Sequence, residues 1–208
     1  MNEQDRFGWP GGARVAVSLS FDDARPSQLD QAVPVLARRQ TRATFYVSPD
    51  RVRDRLADWR AALAAGHELG NHSLRHSCSG NFIWGARNVL ENYTLEQMDE
   101  ELVEAGRRLH ELLGRTPTTF AYPCGQTFVG RGVDRRSYVP VVARRFLAGR
   151  GFREEFLNRP SFCDLAALAG TEMDGVPFER LVGTIQQAAA NHQWVIFVGH
   201  DVGNLPRQ

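Results

Sequence analysis

Strand-like segments that each end in an acid, a histidine or a polar turn constrain this chain more than any other feature. Residues 14–21 (RVAVSLSF) alternate β-branched and small residues and run into Asp22-Asp23. ATFYV (43–47), HELGN (67–71), TTFAY (118–122) and QWVIFVG (193–199) read as further strands. Helical stretches separate them: 28–39, then 49–65 opened by Pro49-Asp50 and stopped by Gly66, a capping-box start at Thr94-Leu95-Glu96-Gln97 running to about Gly114, VPVVARRF, and 178–190. Strands alternating with helices predict parallel βαβ units. Asp22-Asp23, His72, Tyr122-Pro123-Cys124 and His200 then fall at carboxyl ends of strands, where sites in such folds gather.

The 208 residues suit one domain, 1–208, with an N-terminal arm over 1–13. Hydrophobic residues at 42% and charged residues at 24% exclude disordered and fibrous architectures. Every basic residue is Arg and the net charge is +1, which argues against a nucleic-acid partner and excludes lysine Schiff-base or phosphate-loop chemistry. No apolar run is long enough to cross a bilayer, so no membrane partner is expected. The start, MNEQDRFGWPGG, lacks a basic segment followed by an apolar one. A cytoplasmic location is expected, or an extracytoplasmic one if a leader is removed. Three cysteines (Cys78, Cys124, Cys163) are too few for a disulfide scaffold.

His72 and His76 stand four residues apart, a spacing that converges on one cation if the segment turns helically. Two unrelated histidines are the commoner meaning of that spacing. A carboxylate from Asp22-Asp23 completes a two-histidine, one-carboxylate set with positions open for water. Adjacent acids at a strand end point different ways, so one can ligate while the other acts as a base; a solvated turn or helix cap is the plainer alternative. His200 suits a general acid if it faces the same cavity, and otherwise is a structural histidine.

Ser20-Phe21-Asp22-Asp23-Ala24, His72-Ser73-Leu74-Arg75-His76, Ala121-Tyr122-Pro123-Cys124-Gly125 and Val198-Gly199-His200 resemble, in order and spacing, the motifs of the polysaccharide deacetylases, carbohydrate esterase family 4. The resemblance spans about residues 14–201; the first two motifs are specific and the later two match in part. It implies an α/β fold, a distorted (β/α)7-type barrel of parallel strands, with complete and incomplete closure both open. It implies metal ligands Asp23, His72 and His76, with Zn²⁺ first and Co²⁺ or Ni²⁺ as alternatives. Asp22 becomes the base that takes a proton from water, the backbone N–H of Cys124 an oxyanion donor, and His200 the acid for the leaving amine. Tyr122 and Val198 fall on the substrate side.

Three departures stand out. The third motif usually begins with Arg, which pairs with the catalytic base, and here that place holds Ala121. Arg25 or an arginine of the 131–136 loop is the expected substitute. The aromatic of that motif is Cys124. The family's Asp-Trp motif is not evident, and Cys163-Asp164-Leu165 is the nearest stretch, which makes Asp164 the expected partner of His200.

Cys78 and Cys124 are expected to be small buried residues without a chemical role, a disulfide or a soft-metal ligand being the alternatives. The arginines of 131–136 and 144–145 are expected on a solvated face rather than on an anionic substrate group. Phe82, Trp84 and Tyr93 could stack on sugar rings or fold their loop, Phe82, Ile83 and Trp84 would suit a homo-oligomer contact if exposed, and His67 is read as structural. The reading is a metal-dependent deacetylase acting on an acetylated saccharide or small amide. Its rivals are an allantoinase- or imidase-like amidohydrolase and a saccharide-binding relative without catalysis.

Overall fold

The computed structural model describes residues 7–83 and 88–203, so Trp84 lies outside the described residues. All five expected strands form and four shorter ones join them. In chain order they are β1 (Ala16–Asp22), β2 (Thr44–Val47), β3 (Glu68–Asn71), β4 (Thr119–Ala121), β5 (Phe128–Val129), β6 (Arg136–Ser137), β7 (Ala148–Arg150), β8 (Thr171–Glu172) and β9 (Trp194–Gly199). Seven of them make one sheet in the order β7-β4-β3-β2-β1-β9-β8, and β5 and β6 form a separate antiparallel hairpin. Every pairing in the large sheet is parallel.

The sheet curls into a distorted, open barrel of the (β/α)7 type. Leu168, just ahead of β8, reaches the opposite end of the strand order: its N–H donates to Gly149 and its carbonyl accepts from Gly151, both at 2.8 Å. The ends therefore meet at a short bridge, Arg150 to Leu168, rather than along a paired strand.

The helices are α1 (Val33–Arg38), α2 (Pro49–Asp54), α3 (Leu56–Ala64), α4 (Leu95–Leu113), α5 (Val139–Arg145) and α6 (Phe178–Ala190). The capping box forms at the head of α4: Thr94 Oγ1 accepts from the Gln97 N–H at 3.2 Å, and Gln97 Oε1 accepts from the Thr94 N–H at 2.9 Å. Gly114 ends the helix at φ 72°, a left-handed conformation that costs glycine little. Two helix expectations are corrected. The 49–65 stretch breaks at Arg55 (φ −136°, ψ 46°) into α2 and α3. The 28–39 stretch opens with a π-helical turn, Gln28–Ala32, before α1.

That turn has a positional result. Gln28 is fully buried, and its side-chain amide donates to the Asp22 carbonyl at 2.6 Å and to the His200 carbonyl at 2.8 Å. One side chain thus ties together the carboxyl ends of β1 and β9. π-turns inside helices recur at functional sites for this kind of re-aiming.

The largest core cluster packs Phe21, Phe45 and Leu69 of the sheet against Leu36, Val52 and Trp59 of the helices. Phe45 and Trp59 are fully buried, each worth about 1.5–3 kcal/mol by area removed from water. His67 belongs to this structural layer: it is buried, its Nδ1 accepts from the Ala43 N–H at 3.2 Å, and burial holds its pKa below the usual histidine value. A second cluster gathers Phe120, Tyr122, Tyr138 and Val142 under α5. None of the described helices is long and apolar enough to cross a membrane.

Candidate active site at the carboxyl edge of the sheet

Because the strands are parallel, their carboxyl ends share one edge, and the chemistry-bearing residues collect there. Asp22 closes β1, and the chain then turns through two left-handed residues, Asp23 (φ 73°) and Ala24 (φ 51°). Such conformations cost about 1–3 kcal/mol each in non-glycine residues and cluster where function over-determines the backbone. The turn parts the two acids into different environments.

Asp23 meets both histidines: its Oδ1 lies 3.5 Å from His72 Nε2 and 3.2 Å from His76 Nε2. The donor atoms of the three residues all lie within 4.8 Å of one another. His72 Nδ1 is 2.9 Å from the Ala121 carbonyl. A carbonyl can only accept, so Nδ1 donates to it and Nε2 is the nitrogen turned toward Asp23, the arrangement that orients metal-ligating histidines. Burial would raise the pKa of Asp23, but hydrogen bonds to His72 and His76 outweigh it and hold the carboxyl ionised well below the usual range. Two imidazoles and one ionised carboxylate so gathered fit a divalent cation.

The His72–His76 segment is an irregular turn rather than the helical one on which the spacing argument relied. Ser73 (φ 61°) and His76 (φ 52°) are left-handed, with Asn71 Oδ1 accepting from the Ser73 N–H and Ser73 Oγ accepting from the His76 N–H. Glu101 of α4, only 3% exposed, braces it from behind. Its carboxylate accepts from the Arg75 N–H, the Arg75 guanidinium, Ser77 Oγ and Tyr93 OH at 2.7–3.3 Å, so both neighbours of His76 are held. If Asp23, His72 and His76 hold a divalent ion, Glu101→Gln is expected to weaken its binding about 10-fold, read by Co²⁺ titration beside thermal unfolding. Unchanged affinity with a lowered Tm would reduce Glu101 to a structural role.

Asp22 faces the interior. It is 3% exposed, and its Oδ1 accepts from the guanidinium of Arg150, which is 1% exposed at the end of β7. Burial would push the Asp22 pKa up; the Arg150 charge, with His72 and His200 adding to it, leaves the net shift downward. The expectation of Arg25 or a 131–136 arginine as partner is therefore corrected. Arg25 pairs instead with Asp23 Oδ2 at 3.1 Å. Arg136 donates to the carbonyls of Val133 and Arg135, and Arg135 lies over the Phe128 ring, on the exposed surface expected for this loop.

His200 follows β9, and its Nδ1 lies 2.6 Å from Asp174 Oδ2, two residues past β8. Asp174 Oδ1 also accepts from the His200 N–H at 3.0 Å. Asp164 is not that partner; it caps a short 3₁₀ turn by accepting from the Ala166 N–H. Burial alone would lower the His200 pKa, but Asp174, Asp22 and Asp23 raise it. The Phe152 ring walls its imidazole edge-on at 5.4 Å.

Other expectations fall differently. Tyr122 lies in the core, 1% exposed, its hydroxyl donating to the Ala166 carbonyl at 2.6 Å, and Val198 is fully buried. Cys124 sits in a 3₁₀ turn at φ 54° and is disulfide-bonded to Cys78, which overturns the expectation of two inert thiols. Tyr93 bonds Ser77 and Glu101 rather than standing free, and Ile83 is 95% exposed. A groove of about 540 Å³ between α4 and residues 88–93 contains none of the acid–histidine cluster.

Residues 11–131, more than half of the chain, match the family model described as polysaccharide deacetylase. The chain belongs to that family. Among curated polysaccharide deacetylase relatives, a peptidoglycan-N-acetylglucosamine deacetylase of Bacillus cereus is 27% identical over 110 residues, 52% of this chain and 46% of the relative. A chitooligosaccharide deacetylase of Sinorhizobium fredii is 36% identical over 67 residues, 32% of this chain and 31% of the relative. The chain thus spans less than half the length of these relatives. Of solved structures, Streptococcus pyogenes deacetylase PplD in complex with acetate superposes with TM-score 0.62 at 18% identity, covering 81% of this chain and 69% of that one. Puue allantoinase gives TM-score 0.66 at 16% identity, covering 92% and 79%. At such identities the likeness concerns the fold.

Proposed function

We propose that this polysaccharide deacetylase family member is a metal-dependent hydrolase that removes the acetyl group from an N-acetylated, or O-acetylated, saccharide. The observation that carries the reading is one triad and two pairs on one sheet edge: Asp23 with His72 and His76, Asp22 with Arg150, and His200 with Asp174. A divalent ion, Zn²⁺ first by donor type, would be held by Asp23, His72 and His76 and would polarise the acyl carbonyl and acidify water.

The chain's own groups supply the proton traffic. Asp22, kept ionised by Arg150, is the base that takes a proton from the attacking water. The Cys124 backbone N–H, in the left-handed turn after β4, serves as the donor for the developing oxyanion. His200, its pKa raised and its Nδ1 held by Asp174, keeps Nε2 free to protonate the leaving amine. Base and acid stand in environments that push their pKa values apart, which assigns their roles.

The relatives named for peptidoglycan N-acetylglucosamine and chitooligosaccharide support an acetylated amino sugar as substrate. The Cys78–Cys124 disulfide supports an oxidising, extracytoplasmic compartment in place of the cytoplasmic one expected.

Metal analysis of the purified protein is expected to find about one divalent ion per chain, lost in Asp23→Ala and His76→Ala. The same variants are expected to lose acetate release from N-acetylchitooligosaccharides. Folded wild-type protein that takes up no metal on loading would refute the hydrolase reading. Turnover of cyclic amides instead of acetylated sugars would transfer it to an amidohydrolase, and saccharide binding without turnover in metal-loaded protein to a lectin-like relative.

A further inference from the structure

The geometry points to a second cation site beside the first: Cys78 Sγ, Cys124 Sγ and His76 Nδ1 take up a soft divalent ion once the disulfide is open. The ligand atoms of the three residues all lie within 4.8 Å of one another, and His76 Nδ1 is 3.6 Å from Cys78 Sγ. His76 is placed to serve two sites because its two nitrogens face opposite ways, Nε2 toward Asp23 and Nδ1 toward sulfur. His72 has no such freedom, its Nδ1 being held by the Ala121 carbonyl.

The donor types select the ion. Two thiolates and an imidazole favour Zn²⁺, Cd²⁺ or another thiophilic cation over Mg²⁺ or Ca²⁺. A tetrahedral ion with metal–sulfur bonds of about 2.3 Å keeps its sulfurs about 3.8 Å apart. The Cα atoms of Cys78 and Cys124 are 6.3 Å apart, a span across which two thiolates reach one ion. Cys78 is buried and Cys124 half-buried, so Cys124 is the sulfur at which a reductant and then an ion enter.

The chemistry closes. A phosphine reductant attacks one sulfur, the S–S bond breaks, and water supplies the oxygen that converts the phosphine to its oxide and the two protons that cap the sulfurs. Capture of the cation releases those two protons and forms two sulfur–metal bonds and one nitrogen–metal bond. The disulfide therefore acts as a gate: closed, it leaves His76 to the Asp23 site; open, it offers His76 a competing ion.

The test uses Cd²⁺ as probe and Cys163→Ala as background, since Cys163 is the remaining thiol. Asp23→Ala is added to disable the first site, so the outcome is independent of the hydrolase reading. After phosphine reduction and desalting, this protein is expected to bind one Cd²⁺ per chain with thiolate-to-cadmium charge-transfer absorption. The oxidised protein is expected to show none. Adding Cys124→Ser should abolish the band, and adding His76→Ala should weaken binding. No band in the reduced protein, or a band and affinity unchanged by His76→Ala, overturns the proposal. Far-UV circular dichroism is followed on the same sample. If reduction alone unfolds the chain, Cd²⁺ present during reduction must keep it folded, and unfolding despite Cd²⁺ also overturns the site.

Discussion

Arg150→Met is expected to lower the unfolding free energy by about 3–5 kcal/mol at neutral pH, the range for stripping one partner from a buried ion pair. Arg150 and Asp22 are both almost wholly removed from solvent. Arg150 also donates to the Gly151 carbonyl at 2.9 Å and lies over the Tyr46 ring, so its loss strips the Asp22 carboxylate of its main counter-charge. Urea denaturation of Arg150→Met, Asp22→Asn and the double variant measures the coupling. The double variant is expected to recover much of the loss, because two neutral groups leave no buried charge unpaired.

The pH dependence has a definite sign. In the wild type, Asp22 has a lowered pKa, so its contribution is complete above the unfolded carboxylate value of about 4 and is lost as pH falls through the folded value. In Arg150→Met, burial acts without its main counterweight and the pKa of Asp22 rises. Acidification then relieves the variant by protonating the carboxyl, and the stability gap to wild type narrows as pH falls. A gap independent of pH, or additive single losses, would show that Arg150 acts by packing alone.

His200→Ala is expected to lower kcat about 10²–10⁴-fold on an N-acetylated oligosaccharide, the span for removing a general acid. Asp174→Asn should cost less and alter the pH profile. Asp174 helps raise the His200 pKa, so the acid form persists further up the pH scale. Without that carboxylate the pKa falls, and the alkaline limb of kcat/KM moves to lower pH. A rate unaffected by His200→Ala in metal-replete protein would remove His200 from the reaction. An unmoved limb in Asp174→Asn would leave Asp174 a hydrogen-bond anchor only.

The long apolar strands, β1 and β9, and the capped helix α4 were legible because an unbroken run of apolar and small residues and a capping box are written in consecutive residues. β7 and β8 were not. Three and two residues long, they carry no alternation, and pairing with β4 and β9 imposes their conformation. The helix expected through residue 55 failed for a related reason, since nothing local marks the break at Arg55.

The site divides the same way. Asp22, Asp23, His72 and His200 stand out in the chain because each directly follows or ends a strand, and His76 because it stands four residues from His72; both are local properties of the sequence. Their partners are not local. Arg150 lies 128 residues from Asp22, Asp174 lies 26 from His200, and Cys124 lies 46 from Cys78. Arg25, three residues from Asp22, and Asp164, in the stretch nearest to an Asp-Trp motif, were the expected partners, and the fold used neither in that role. Ligand chemistry depends on residue type and spacing, which consecutive residues record. Charge pairing and thiol pairing depend on which strand ends the curled sheet brings to one edge, and only the folded tertiary structure decides that.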